Sequence, residues 1–256
     1  MSGHSKWSTI KRQKGVTDAR RGQAFTKAAN AITIAAREGA GGNPETNFKL
    51  RLAVEAAKNI NMPKDNIERA IARGVGSGKE GSILEQVIYE GFGPKGVAVL
   101  VESVTDNRLR TAQEVRSAFD RSGGALGVPG SVTHLFKQIG EITVAFSGEK
   151  SQDDILLISA DSGADDVDIF EKEALVYCSP NEVEKVKEGL SQRGLKIVEA
   201  KLSRKPISSV KIDDEKTADQ VLSLVSKLED LQDVQTVYAN FDISEEILER
   251  NADIMK

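Results

Sequence analysis

The chain is short of the residues from which most enzyme and metal sites are built. It has one cysteine and two histidines in 256 residues. With Cys178 alone, no intrachain disulfide can form, and a reducing compartment is its natural home. With only His4 and His134 beside it, a zinc site cannot be assembled unless carboxylates supply most of the ligands. No Ser-His-Asp or Cys-His arrangement is suggested, because Cys178 lies in ALVYCSP, a strand pattern that reads as a buried structural thiol. No apolar run reaches transmembrane length, and the N-terminus lacks a hydrophobic signal-peptide core. That N-terminus is Arg-rich and acid-poor, as a mitochondrial presequence is, but it has no clean amphipathic period and runs directly into a helix. A cytoplasmic protein is expected, with no catalytic residues, no cofactor and no metal.

Aromatics are also scarce, and the single tryptophan, Trp7, stands among basic residues. Residues 1–37 contain eight Lys and Arg and one acid, Asp18. Residues 1–74 hold 14 basic and 6 acidic residues, whereas 75–256 hold 21 and 33, so a formal charge of −4 conceals a polarised chain. A basic module that meets an anion, joined to an acidic body that does not, is the natural reading. A basic stretch with an aromatic in it suits phosphate contact and stacking on a base. The candidate nucleic-acid contacts are Lys6, Trp7, Lys11, Arg12, Lys14, Arg20, Arg21 and Lys27. Residues 1–16 are expected to form a mobile arm, and Arg20 and Lys27 to point outward from the helix that follows.

That helix is predicted from Asp18, with Phe25, Ala28, Ala29, Ile32 and Ala36 on its apolar face. Asn43-Pro44 is read as the start of a second helix, running to about Asn59, and Met62-Pro63 as the start of a third. GVGSGKEG (74–81) reads as a linker. Beyond it the period becomes that of strands. Strands at 86–90 and 97–104 and a helix over 108–122 lead to a short strand near 132–136. Residues 139–202 then follow the order β-α-β-β-α-β of the ferredoxin-like plan. A strand at 206–212, a helix and a strand at 234–240 complete the earlier half. The expected fold is α+β with three domains: a basic arm and three-helix domain (1–76), a discontinuous α/β domain (82–132 and 205–243), and an inserted ferredoxin-like domain (133–204). A polar tail (244–256) follows.

The loop GFGPKG (91–96) matches G-x-G-x-x-G but joins two strands, so it reads as a hairpin and not a dinucleotide site. GVGSGKE fails the phosphate-loop pattern at Arg73 and Glu80 and follows a helix. The acids Asp161, Asp165, Asp166 and Asp168 lack calcium-loop spacing and read as a solvated turn. Arg108 and Arg110 open a helix, where cations are disfavoured, so they are added as candidate anion ligands.

GHSKW (3–7), IKRQK (10–14), AIARG (70–74), YEGFGPKGVAVLVESVTDNRLRT (89–111), GSV (130–132) and DVQTVYANF (233–241) together resemble the YebC family. The resemblance spans essentially the whole chain. It implies a helical N-terminal domain with two α/β domains, and a cytoplasmic protein acting on gene expression without catalysis. Bacterial members carry the label of probable transcriptional regulators, and mitochondrial members activate translation of cytochrome oxidase. The functional residues it implies map loosely onto Lys6, Trp7, Lys11, Arg12 and Lys14. With no extra presequence before GHSKW, membership of the bacterial cytosolic branch is expected. Two readings stay open: a DNA-binding transcriptional regulator, and a ribosome-associated translation factor that binds ribosomal RNA through the basic arm and relieves stalling.

Overall fold

The structure, a computed structural model, describes residues 6–9, 18–39, 41–76, 83–146, 150–244, 246–248 and 250. Most of the linker and the end of the tail lie outside the described residues. Three helices make the first domain: α1 (Asp18–Glu38), α2 (Phe48–Asn59) and α3 (Lys64–Gly74). Ile32 and Ala36 of α1 are buried against Leu50, Val54 and Ala57 of α2 and Ile67 and Ala70 of α3, with Phe25, Ala28 and Ala29 packed on the same cluster. This is the face that the 3–4 spacing picks out. At Gly74 a Cβ would fall 2.5 Å from the Thr33 carbonyl oxygen, so glycine is required where the end of α3 lies on α1.

The start of α2 differs from expectation. Pro44–Thr46 form a turn, and the helix begins at Phe48 with Asn47 as its cap. Asn47 accepts from the Leu50 N–H (3.1 Å) and donates to the carbonyls of Ala35 (2.8 Å) and Gly41 (3.0 Å). One buried side chain thus closes α1 and opens α2, which the more exposed Asn43 cannot do.

The second domain starts with β1 (Glu85–Phe92), β2 (Ala98–Thr105), α4 (Arg108–Arg121) and β3 (Ala125–Leu126). GFGPKG is the β1–β2 hairpin loop, closed by the Gly93 N–H on the Val97 carbonyl (2.7 Å). An insertion follows: β4 (Phe136–Ala145), α5 (Gln152–Asp161), β5 (Asp166–Ile169), β6 (Glu173–Cys178), α6 (Val183–Gln192) and β7 (Lys196–Pro206). Its antiparallel sheet has the order β5-β6-β4-β7, the ferredoxin-like arrangement. The strand expected near 132–136 is instead a turn of 3₁₀ helix at Thr133–Leu135, and β4 begins at Phe136. Cys178 is buried in β6, and burial pushes its thiol up to about 11.

The chain then returns as β8 (Val210–Ile212), α7 (Glu215–Glu229), β9 (Val234–Ala239) and β10 (Phe241–Ile243). The second domain's main sheet has the order β3-β1-β2-β9. Val97, Val99 and Val101 alternate onto one face and are buried under Val115 and Phe119 of α4 and Val221, Leu224 and Val225 of α7. The expected continuous strand 206–212 is two pieces. β7 ends at Pro206, and β8 pairs in parallel with β10, outside the main sheet. Asn240 directs this detour. Its Oδ1 accepts the Ala98 N–H (2.7 Å), its Nδ2 donates to the Ser208 carbonyl (3.2 Å), and its own carbonyl accepts the Val210 N–H (2.7 Å).

The first domain touches both others. Ile34 of α1 is buried with Leu84 and Val104. Leu52 and Phe48 of α2 join the apolar core of the insertion. The Asn59 amide donates to the Val198 carbonyl (2.8 Å), and Lys187 pairs with Glu55 (3.0 Å).

Candidate nucleic-acid interface

Trp7 corrects the picture of a free arm. Residues 6–9 form a helical turn, and Trp7 is 2% exposed within the apolar core of the second domain. Its ring cannot stack on a base from there. Its Nε1 is buried without a hydrogen-bond partner among the described residues, so burial of a large apolar surface holds it in place. The turn therefore belongs to the α/β body and not to the helical domain that follows it. Lys6 is half-buried and has an interaction partner. Lys11, Arg12 and Lys14 lie outside the described residues, as does the side chain of Arg20.

Lys27 does not point outward. Its Nζ donates to the Glu229 carbonyl (2.6 Å), and beside it the Gln23 amide donates to the Asp230 carbonyl (2.7 Å). These are the orphan carbonyls at the end of α7, the negative end of its dipole. The basic face of α1 thus includes a cap for another domain's helix. Arg21 is exposed and lies over the Phe25 ring, 5.7 Å from its centroid.

At the head of α4, Arg108 pairs with Glu85 (3.1 Å), while Arg110 pairs with Asp106 (3.0 Å) and Asp233 (2.7 Å). Asn107 caps the helix by accepting the Arg110 N–H (3.1 Å). Asp233 also accepts from Thr105 (3.0 Å) and Thr111 (2.7 Å). Burial works against the Asp233 charge, but hydrogen bonds from Arg110, Thr111 and Thr105 outweigh it and hold the carboxyl below the usual aspartate range. The two arginines thus have protein carboxylates as their anions, which accounts for their place at a helix N-terminus. Asp233→Ala is expected to lower the thermal midpoint clearly, because it removes at once an acceptor of the buried Thr105 and Thr111 hydroxyls and of the Arg110 guanidinium. Arg110→Ala should lower it much less, since Arg110 is 47% exposed. An Arg110→Ala protein that melts normally but binds nucleic acid poorly would return Arg110 to the role of phosphate ligand.

Two further cations escape a reading of the helix start alone. Arg116 and Arg121 of α4 are exposed with no ion pair among the described residues. The signal for them was four arginines in RLRTAQEVRSAFDR. The hallmark segments also contain a structural carboxylate. Glu90 is buried and accepts the N–H groups of Gly130 (2.7 Å), Val132 (2.6 Å) and Thr133 (2.7 Å). It fixes the loop carrying GSV. Among the described residues no group of three or more His, Cys, Asp or Glu could hold a metal ion, and no helix is long and apolar enough to cross a membrane.

A polarised charge, three domains and an N-terminal turn docked in the second of them describe a class of multidomain protein. Residues 5–77 match the TACO1/YebC protein N-terminal domain, and residues 84–241 the TACO1/YebC second and third domain. The chain belongs to the TACO1/YebC family. It is 49% identical over 251 residues to a probable transcriptional regulatory protein of Chloroflexus aggregans, covering 98% of this chain and 99% of that one. It is 49% identical over 248 residues to one of Rubrobacter xylanophilus, covering 97% and 98%. A crystal structure of a conserved hypothetical protein from Aquifex aeolicus superposes with a TM-score of 0.83 at 48% identity, over 90% of this chain and 94% of that one.

Proposed function

We propose that this chain is a non-enzymatic, nucleic-acid-binding regulator of gene expression that acts in the cytoplasm. The observation that carries the reading is the charge division, 14 basic against 6 acidic residues up to position 74 and 21 against 33 beyond it. A polyanion is drawn to the first domain and repelled by the rest. The names of the relatives support the transcriptional form of this reading, with DNA as the target.

The second reading, contact with ribosomal RNA, is favoured by the helices. Reading a major groove requires a helix with one face free. Residues 23–31 of α1 are half-buried throughout, because α2 and α3 take one side and the end of α7 another. The exposed positions of α3 mix Lys64 and Arg69 with Asp65 and Glu68. Contact through phosphates and shape, as on folded RNA, asks for no such helix.

Crosslinking in cells followed by sequencing of the bound nucleic acid decides between promoter DNA and ribosomal RNA. In vitro, log affinity is expected to fall steeply and linearly with log salt. The double variant Lys11→Glu with Arg12→Glu should abolish binding without changing the melting temperature. A salt slope near zero, or binding that survives this variant, contradicts contact through the basic segment.

A further inference from the structure

The three domains meet around a partly open pocket of about 320 Å³. That volume falls in the lower part of the small-ligand range, roughly 300–1,000 Å³, and domain junctions are where such pockets concentrate. Ser8 and Thr9 of the N-terminal turn, Lys27 of α1, Lys201 and Arg204 of β7 and the strand β9 form its walls.

β9 presents there two kinds of hydrogen-bonding group without a partner among the described residues. Thr236 pairs with Glu102 and Val234 with Ser103, so Gln235 is an extra residue with no partner on β2. Such a bulge re-aims a side chain. Gln235 lines the cavity, and its Nε2 is buried without a hydrogen-bond partner among the described residues. Further along, the Asn240 N–H donates to the Ala98 carbonyl (3.1 Å), and the register continues as Val99 with Ala239, Leu100 with Tyr238 and Val101 with Val237. In an antiparallel pair, alternate residues turn their N–H and C=O groups to opposite sides. Residues 98, 100 and 102 bond to 240, 238 and 236, so Val237 and Ala239 turn theirs outward. β7 lies on that side but does not pair with β9.

The cations in the walls are already engaged. Lys201 pairs with Glu141 (3.1 Å) and Glu199 (3.5 Å), Arg204 with Glu102 (2.8 Å), and Lys27 with the Glu229 carbonyl (2.6 Å). A phosphate would find a carboxylate behind Lys201 and behind Arg204, and a helix-end carbonyl behind Lys27. A neutral planar group with its own donors and acceptors along one edge fits better, because an open strand edge offers alternating N–H and C=O groups and Gln235 adds an amide donor.

We propose that this junction is a binding site for a single nucleobase, recognised through the Gln235 amide and the open edge of β9. The base comes either from a free nucleoside or from an unstacked position in a bound strand. The second source rests on the nucleic-acid reading given above; the first does not.

The full chain is titrated calorimetrically with adenosine, guanosine, cytidine and uridine, and separately with single-stranded oligoribonucleotides of mixed sequence. Gln235→Leu is the variant, with Gln235→Glu as a second that keeps the side-chain length and loses the donor. Both are first shown to melt as the parent does. At least one nucleoside, or an oligomer, is expected to bind the parent and to lose about tenfold in affinity in both variants, the worth of one hydrogen bond left unmade. Nucleoside binding that depends on Gln235, with no oligomer binding at all, supports the pocket while removing the nucleic-acid reading. Salt-dependent oligomer binding that both variants leave unchanged, with no nucleoside bound at millimolar concentration, overturns the pocket and leaves that reading standing.

Discussion

Replacing Trp7 by alanine is expected to lower the stability of the second domain by about 3–5 kcal/mol, the range for removing a buried large aromatic from a core. For a chain of this size the midpoint should fall by on the order of 10 °C. The large value follows from burial: Trp7 is 2% exposed and shares a core with the sheet, α4 and α7. Trp7→Phe should cost much less, because it keeps most of the apolar contact and removes an N–H with no described partner. Affinity for nucleic acid should change modestly in either variant, with the salt slope preserved, since the cations remain. A stacking tryptophan would give the opposite pattern. Binding would drop by one or two orders of magnitude while melting stayed the same. Thermal melting and binding measured on the same two variants separate the roles.

Glu90 carries the second large effect. Three N–H groups, that of Val132 buried and those of Gly130 and Thr133 partly so, depend on its carboxylate. Each stranded donor costs roughly 1–3 kcal/mol, and allowing for relaxation of a partly exposed loop, Glu90→Ala should cost about 3 kcal/mol. Glu90→Gln should be nearly as damaging, because the amide nitrogen would face another donor. Burial opposes the Glu90 charge, but hydrogen bonds from Gly130, Val132 and Thr133 outweigh it, and the carboxyl is held below its ordinary value of 4.5. A depressed folded pKa contributes stability that is complete above the ordinary value and is lost as pH falls through the lower, folded one. Asp233 and Asp166, the latter held down first by the hydrogen bond from Lys205, act in the same direction. The protein should therefore lose stability below about pH 4.5. In Glu90→Gln this acid-side loss should be shallower, which a series of denaturant midpoints against pH would show.

Much of the architecture could be read from the sequence, because it is written in local periods. The 3–4 spacing of Phe25, Ala28, Ala29, Ile32 and Ala36 describes the buried face of α1, and alternating valines describe β2. The ferredoxin-like insertion follows from the order of its elements. Local periods carry no information about which distant surface a residue meets. Trp7 stands among lysines and serines, and the core that receives it is built from residues 97 onward. Lys27 looks like a surface cation until α7 ends beside it. Asn43-Pro44 marks the helix start in sequence, and only the approach of the Ala35 carbonyl shows Asn47 in the capping role. The hallmark segments signalled the family clearly, yet Glu90, Asp233 and Asn240 within them hold loops and strands together. The bulge at Gln235 is a property of strand register, visible only once β2 lies beside β9.

The single tryptophan makes the central claim directly measurable. If the N-terminal turn is docked in the second domain, all tryptophan emission of the folded protein comes from a buried indole. A blue-shifted maximum with weak acrylamide quenching is expected in the free protein, both moving to solvent-exposed values only on unfolding. A red-shifted, readily quenched emission from the folded protein would place Trp7 on a free arm and contradict the account.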